Sequence, residues 1–381
     1  MRNKLTILCL AILIVASAFS YTPAIFANSA SYGRLHIVIL LSTVSLFALS
    51  GNYGSLFRHK LMNKVLYPLI LFIFLICLFY GVGLNVGAID IMQIAIVYAS
   101  LWIGHELRLK ENIFVALLFL YGLVAIFLGY TAITTYLTSF LMEENAYAIE
   151  AKNQIGVIVA VAGFVMFYIA QCSSNKKLSI ISYILFFVLL VLMAFIRCRT
   201  ALLAFLITAF LTVYKVNDSR RLLAYLFCGT VLMIVFSNQI SEILQDVFVG
   251  DKVGAKIDDL SSNRIERNEQ SIRYLNDHLF AGELITPSGI EIIHNYILNR
   301  LVRYGIWAIP LLFVYFTIGY KAIKQTLRYK EYTLYDIGYF AMLIPFICSL
   351  LEPDAPFGPG TVYSFVYILF GYSLKNSLNR S

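Results

Sequence analysis

Charge is what this sequence has least of. Asp, Glu, Lys and Arg make up 13% of its 381 residues, about half the roughly 25% of a soluble globular domain. That deficit excludes an ordinary soluble enzyme. A hydrophobic content of 60% and a mean hydropathy of +0.80 imply an all-α polytopic membrane protein. The six cysteines, Cys9, Cys77, Cys172, Cys198, Cys228 and Cys348, form no CxxC pair, and none falls in the longest polar segment, 239–293. Neither a disulfide framework nor a zinc site is expected from them. Also missing are a Walker loop, a GxGxxG fingerprint, an HExxH helix and a GxSxG elbow. No cofactor or metal is therefore expected, and any energy for chemistry has to arrive with the substrate.

What is abundant is aromatic: 29 Phe and 26 Tyr, with many Tyr near the ends of apolar runs, where an amphipathic ring suits the headgroup layer. The net charge of +8 does not point to nucleic acid, because in such a chain the side of the bilayer on which each cation lies matters more than the sum. At about twenty apolar residues per crossing, about twelve spans are expected, beginning near residues 5, 35, 65, 88, 113, 154, 178, 200, 221, 296, 334 and 360. Lys and Arg fall in alternate gaps, around Arg58, Arg108, Lys176, Lys215 and Lys321 for example. The positive-inside rule makes those gaps cytoplasmic, with both termini inside. Ala16-Ser17-Ala18 resembles a signal-peptide cleavage site, but apolar character resumes through Pro23, Ile25 and Phe26, which favours an uncleaved first helix.

The apolar run 178–215 would be about 57 Å long as one helix, twice the membrane core, so it has to fold into two. The break is expected at Arg197–Thr200, on the external side, where the charge rule would not place two arginines. Arg197 and Arg199 either snorkel to lipid phosphates or face an anionic guest. Between membrane segments 1–238 and 294–381 lies the one large external loop, 239–293. It is expected to hold short amphipathic helices: ISEILQDVFVG with Ile240, Ile243, Leu244, Val247 and Phe248 on one face, then a helix opened by Asn263 and Glu266. In that second helix Ile265, Ile272, Leu275 and Leu279 line one face, Arg264 and Arg267 share the polar one, and Gly282 ends it. For Arg267 a solvated surface position is the simpler expectation. In the next span Asn295, Asn299 and Arg303 form an i, i+4, i+8 stripe with Arg300 beside it and His294 at its mouth. The acidic loop Glu352-Pro353-Asp354 either contacts sugar hydroxyls or caps two helices.

Arg197, Arg199, Arg264, Arg267, Arg300 and Arg303 thus gather on the external side as a cationic basin. Guanidinium forks bind phosphate oxygens bidentately. Nearby arginines would keep His294 neutral, as a general base has to be. Together they describe transfer of a group from a diphosphate to a hydroxyl.

At these residues the chain resembles the O-antigen polymerase and ligase superfamily: Arg199-Thr200-Ala201-Leu202-Leu203 opening a span, Ser261-Ser262-Asn263-Arg264 in the loop, then Gly282, then His294-Asn295-Tyr296-Ile297-Leu298. It departs in having AGELITPSG where a Gly-x-Gly is often found. The resemblance implies metal-independent, inverting glycosyl transfer on the outer face of the bacterial cytoplasmic membrane, with undecaprenyl-diphosphate-linked oligosaccharides as donor and acceptor. A chain-length regulator and a flippase of the same pathway are implied as partners. It assigns the diphosphate to Arg199 and Arg264, and the acceptor hydroxyl to His294. Arg197, Arg300, Arg303 and Asn295 complete the candidate substrate-binding set. A polymerase is favoured over a ligase that passes the glycan to lipid A core or another acceptor. A precursor flippase or secondary transporter is the rival from another class.

Overall fold

The computed structural model describes residues 2–50, 60–85, 88–141, 151–196, 198–216, 264–290, 293–328, 333–353 and 360–378. Every regular element among them is helical. In chain order these are α1 (Arg2–Phe19), α2 (Pro23–Phe26), α3 (Ser29–Ser50), α4 (Lys60–Gly81), α5 (Ala88–Glu106), α6 (Glu111–Leu141), α7 (Lys152–Cys172), α8 (Lys176–Ile196), α9 (Arg199–Val216), α10 (Arg264–His278), α11 (Tyr296–Tyr304), α12 (Ile309–Arg328), α13 (Ile337–Cys348) and α14 (Gly360–Leu378). Six helical stretches are long and apolar enough to cross a membrane: Ser29–Ser50, Asn63–Gly81, Glu111–Thr135, Lys152–Cys172, Lys176–Ile196 and Tyr296–Arg328. The chain is thus a helical membrane protein. Arg197, Asn263, Asp354, the surface helix expected at Ile240–Phe248 and the span expected near 221 lie outside the described residues.

Burial sorts the helices into a centre and a rim. In α7, 89% of the apolar window is buried, against 22% in α8. α7 is the spine, packed against α6, α8, α9 and α13. On α8 the residues Ile180, Ile184, Phe187 and Val191 face outward at helical spacing, an inside-out pattern that a water-facing helix would not tolerate and hydrocarbon does. α5 and α14 cross closely because glycines remove side chains at the contact. A Cβ on Gly104 would overlap the Ile368 carbonyl, and one on Gly371 the Leu101 carbonyl. Some hydroxyls within the helices bond back one turn, as Thr208 to the Ala204 carbonyl (2.8 Å) and Thr212 to the Thr208 carbonyl (2.9 Å).

The predicted hairpin is present: α8 stops at Ile196 and α9 starts at Arg199. The span expected near 296 is present as the apolar stretch Tyr296–Arg328, with a 3-10 turn, Gly305–Ala308, between α11 and α12; Gly305 sits at φ +57° and Pro310 supplies no amide to the turn before it. The element near 334 is short, since α13 holds only 12 residues. On α10 only part of the apolar stripe read from sequence docks: Leu275 is buried, with Ser271 one turn before it, while Ile265, Ile272 and Leu279 are exposed. Leu275 packs with Ile293 and Val302 of the α11 segment, and this contact, rather than α10's own periodicity, sets its rotation.

Two glycines lock that docking. Gly282, at φ +56°, lies against the Val302 carbonyl, and Gly305 lies against the carbonyls of Leu279 and Phe280. The Ile306 amide donates to the Leu279 carbonyl at 2.9 Å. Gly282 opens a 3-10 turn rather than ending α10, which stops at His278.

Candidate functional site

The N-termini of α7, α9 and α11 and the C-terminus of α13 meet at one end of the bundle, and Glu352 is where they converge. Following the short α13, the chain turns through Ser349–Pro353, and α11 holds this turn. The Tyr296 amide donates to the Ser349 carbonyl at 2.9 Å. Asn295 caps α11 by accepting from the Leu298 amide (3.0 Å) and donates from Nδ2 to the Leu350 carbonyl (3.3 Å). Arg300, only 5% exposed, lies 5.1 Å from the centre of the Tyr296 ring and donates to the Pro353 carbonyl at 3.5 Å. Asn295 and Arg300, both placed in the substrate-binding set from sequence, are therefore engaged in fixing the turn.

So held, Glu352 is buried yet fully solvated by protein. Its Oε1 accepts from Arg264 at 3.1 Å and from the Thr200 hydroxyl at 3.2 Å. Its Oε2 accepts from the Asn153 amide at 2.7 Å. A carboxylate costs several kcal/mol to bury without partners, and here three donors from three helices replace water. His294 presents Nδ1 to Oε2 at 4.0 Å, and that nitrogen has no hydrogen-bond partner among the described residues. Burial first, and the charges of Arg264 and then Arg267, push the His294 pKa from 6.5 down to about 4. The imidazole is neutral at physiological pH.

Cys198 completes the wall, donating weakly from Sγ to Asn153 Oδ1 at 3.7 Å. Burial, the largest influence on it, raises its pKa to about 11, so it stays a thiol and is no nucleophile.

The structure thus brings together Arg264, His294 and the α9 start that carries Arg199, three of the residues singled out from sequence. Arg199 is half-buried at the first turn of α9, next to Thr200. Arg267, expected to be a solvated surface charge, lies close enough to His294 to oppose its protonation. Arg303 goes elsewhere, lining a small cavity with Asn299, Asn85 and Glu283. Asn153 and Thr200 were missed as partners of the Glu352 carboxylate. The Arg-Thr pair opening α9 was a signal for Thr200; nothing in the sequence singles out Asn153.

The opposite end of the bundle is basic and tied by backbone carbonyls. Lys375 donates to the Glu106 and Leu107 carbonyls (3.3 and 3.1 Å), and Lys215 to that of Leu327 (3.2 Å). Arg108 and Lys110 line a cavity there with Asn3 and Ser50. Lys215, Lys375, Arg108 and Lys110, cations of the gaps sorted from sequence, therefore lie at the end away from Glu352.

Compared with known proteins, the chain matches no family model and no curated protein at significant similarity.

Proposed function

We propose that this chain is a polytopic membrane glycosyltransferase of the polymerase kind, joining undecaprenyl-diphosphate-linked oligosaccharide units by inverting transfer at the outer face of the cytoplasmic membrane. The observation that carries this reading is a neutral histidine set beside arginines and oriented toward a buried carboxylate. In this reading Arg264 and Arg199 hold the donor diphosphate, with Arg267 adding positive potential. His294 takes the proton of the acceptor hydroxyl. The hydroxyl oxygen attacks the anomeric carbon from the face opposite the diphosphate, the old C–O bond breaks, and its electron pair leaves with the diphosphate. The anomeric centre inverts, and the cations stabilise the departing charge.

Glu352 supports two of these tasks. It fixes the guanidinium of Arg264 through one N–H, leaving other N–H groups for phosphate oxygens. A small closure of the 4.0 Å gap to His294 Nδ1 would select the tautomer that leaves Nε2 to accept a proton. The topology that goes with this function has about twelve spans, with both termini and the basic gaps on the cytoplasmic side. The position of Lys215, Lys375, Arg108 and Lys110 at the end away from His294 supports it. A flippase would supply the lipid-linked units and a chain-length regulator would limit the product.

Reconstitution with lipid-diphosphate repeat units as the sole glycan tests the reading. A ladder of lengths is expected from the native chain and none from His294→Ala. Product formed only after addition of a second acceptor would make the enzyme a ligase, and an unchanged ladder from His294→Ala would remove the base.

A further inference from the structure

Beside α11, Asn85, Glu283, Ile290, Ile293, Asn299 and Arg303 enclose a cavity of ≈ 210 Å³. It shares no lining residue with the Glu352 cluster, yet Ile293 is the chain neighbour of His294. Its walls are fixed by the backbone: the Asn85 amide donates to the Leu284 carbonyl at 3.2 Å, and Asn85 Nδ2 to the Glu283 carbonyl at 3.5 Å. Ser288 donates its hydroxyl to Glu283 Oε1, which sets the carboxylate's orientation. Asn299 Oδ1 has no hydrogen-bond partner among the described residues.

The lining chemistry decides among ligand classes. Two carboxamides each donate and accept, the carboxylate accepts and the guanidinium donates. That mixture suits vicinal hydroxyls, each of which is donor and acceptor at once. One carboxylate and one guanidinium cancel in formal charge, unlike the Arg264 and Arg267 side, so a diphosphate gains little here. Ile290 and Ile293 add only a small apolar edge to a mostly polar lining. The volume is below the roughly 300–1,000 Å³ of drug-sized pockets, enough for one small ring and too little for an oligosaccharide. We infer that this cavity is a pyranose subsite that holds one sugar of the glycan substrate within a residue's reach of His294.

The inference rests on the reading of the chain as a glycan-transfer enzyme, and a binding measurement separates the two. The full chain in detergent micelles is examined by saturation-transfer difference NMR with glucose, galactose, N-acetylglucosamine and glucuronate. Transfer to ring protons of at least one of them is expected. Asn299→Ala should weaken that binding about tenfold, the factor carried by one well-made hydrogen bond, and Glu283→Gln should weaken it as well. His294→Ala should leave it in place. Sugar binding without any polymer ladder would retain the subsite and discard the polymerase reading. No transfer to any of the four sugars would overturn the subsite. Transfer that survives both lining substitutions, or that inorganic pyrophosphate abolishes at equal concentration, would overturn it too.

Discussion

Arg264 donates to Glu352 Oε1 at 3.1 Å across 88 residues of sequence, and that one contact ties the charged helix α10 to the turn after α13. Both groups are largely shielded, with side-chain exposures of 23% and 8%. Removing one partner leaves the other charge, and the Asn153 and Thr200 donors, without compensation. Glu352→Ala is expected to lower stability by about 3 kcal/mol, read as an earlier thermal unfolding midpoint in detergent. Glu352→Gln keeps an acceptor for Asn153 or Thr200 and should cost less. Equal midpoints for the two variants would mean the charge contributes nothing.

The depressed pKa of His294 has a defined consequence with pH. Between the ordinary 6.5 and the folded value of about 4, the unfolded chain binds a proton that the folded chain refuses. Stability from this group is therefore flat above about pH 6.5 and declines as pH falls through that window. In the polymerase reading, the acid limb of kcat/KM lies near pH 4 rather than 6.5. Arg267→Ala removes one of the opposing charges and should move the limb upward. A limb that stays fixed in this variant would separate Arg267 from the base.

Arginine at 199 is a matter of geometry as well as charge. If its fork binds phosphate oxygens, Arg199→Lys keeps the charge, loses the bidentate contact and slows polymer formation about tenfold or more. The control is Thr200→Val, which removes a donor to Glu352 (3.2 Å) and should cost about 1 kcal/mol of stability. An Arg199→Lys enzyme with native rates would assign this arginine to lipid headgroups instead.

Gly305 stands where neither space nor backbone allows a side chain: φ is +57°, and a Cβ would lie 2.5 Å from the Leu279 carbonyl oxygen. Gly305→Ala should strain the α10 docking by about 1–3 kcal/mol. Faster proteolysis within 264–290, with helical circular dichroism unchanged, would locate the damage there. Protection equal to that of the native chain would show that the carbonyls can give way.

How much of this was legible beforehand varies with the range of the force involved. The α8–α9 hairpin follows from length alone, because 38 apolar residues cannot cross once. That arginines would lie near His294 was an expectation from the sequence, and Arg264 and Arg267 do lie near it. α10 shows where such reading stops. Of its Ile265, Ile272, Leu275 and Leu279 stripe only Leu275 docks, alongside Ser271. Rotation was decided by the partner surface of Ile293 and Val302 and by the interlocked backbone at Gly282 and Gly305. The 3-10 turn after Tyr304 was equally hidden, because the apolar composition continues through it into α12.

The sequence by itself determined that the chain is helical and that it belongs in a membrane, and it marked out His294 and a set of arginines. These follow from solvation, which acts on each residue according to its own chemistry. Only the tertiary structure decided which of those residues meet. It separated Arg303 from Arg264, turned Asn295 and Arg300 into struts for a turn, and drew Arg267 to the histidine. It also made Glu352 the common partner of groups 199 and 152 residues away. A buried carboxylate must find donors wherever the packing of short, broken helices delivers them, and that delivery is not written in any local pattern.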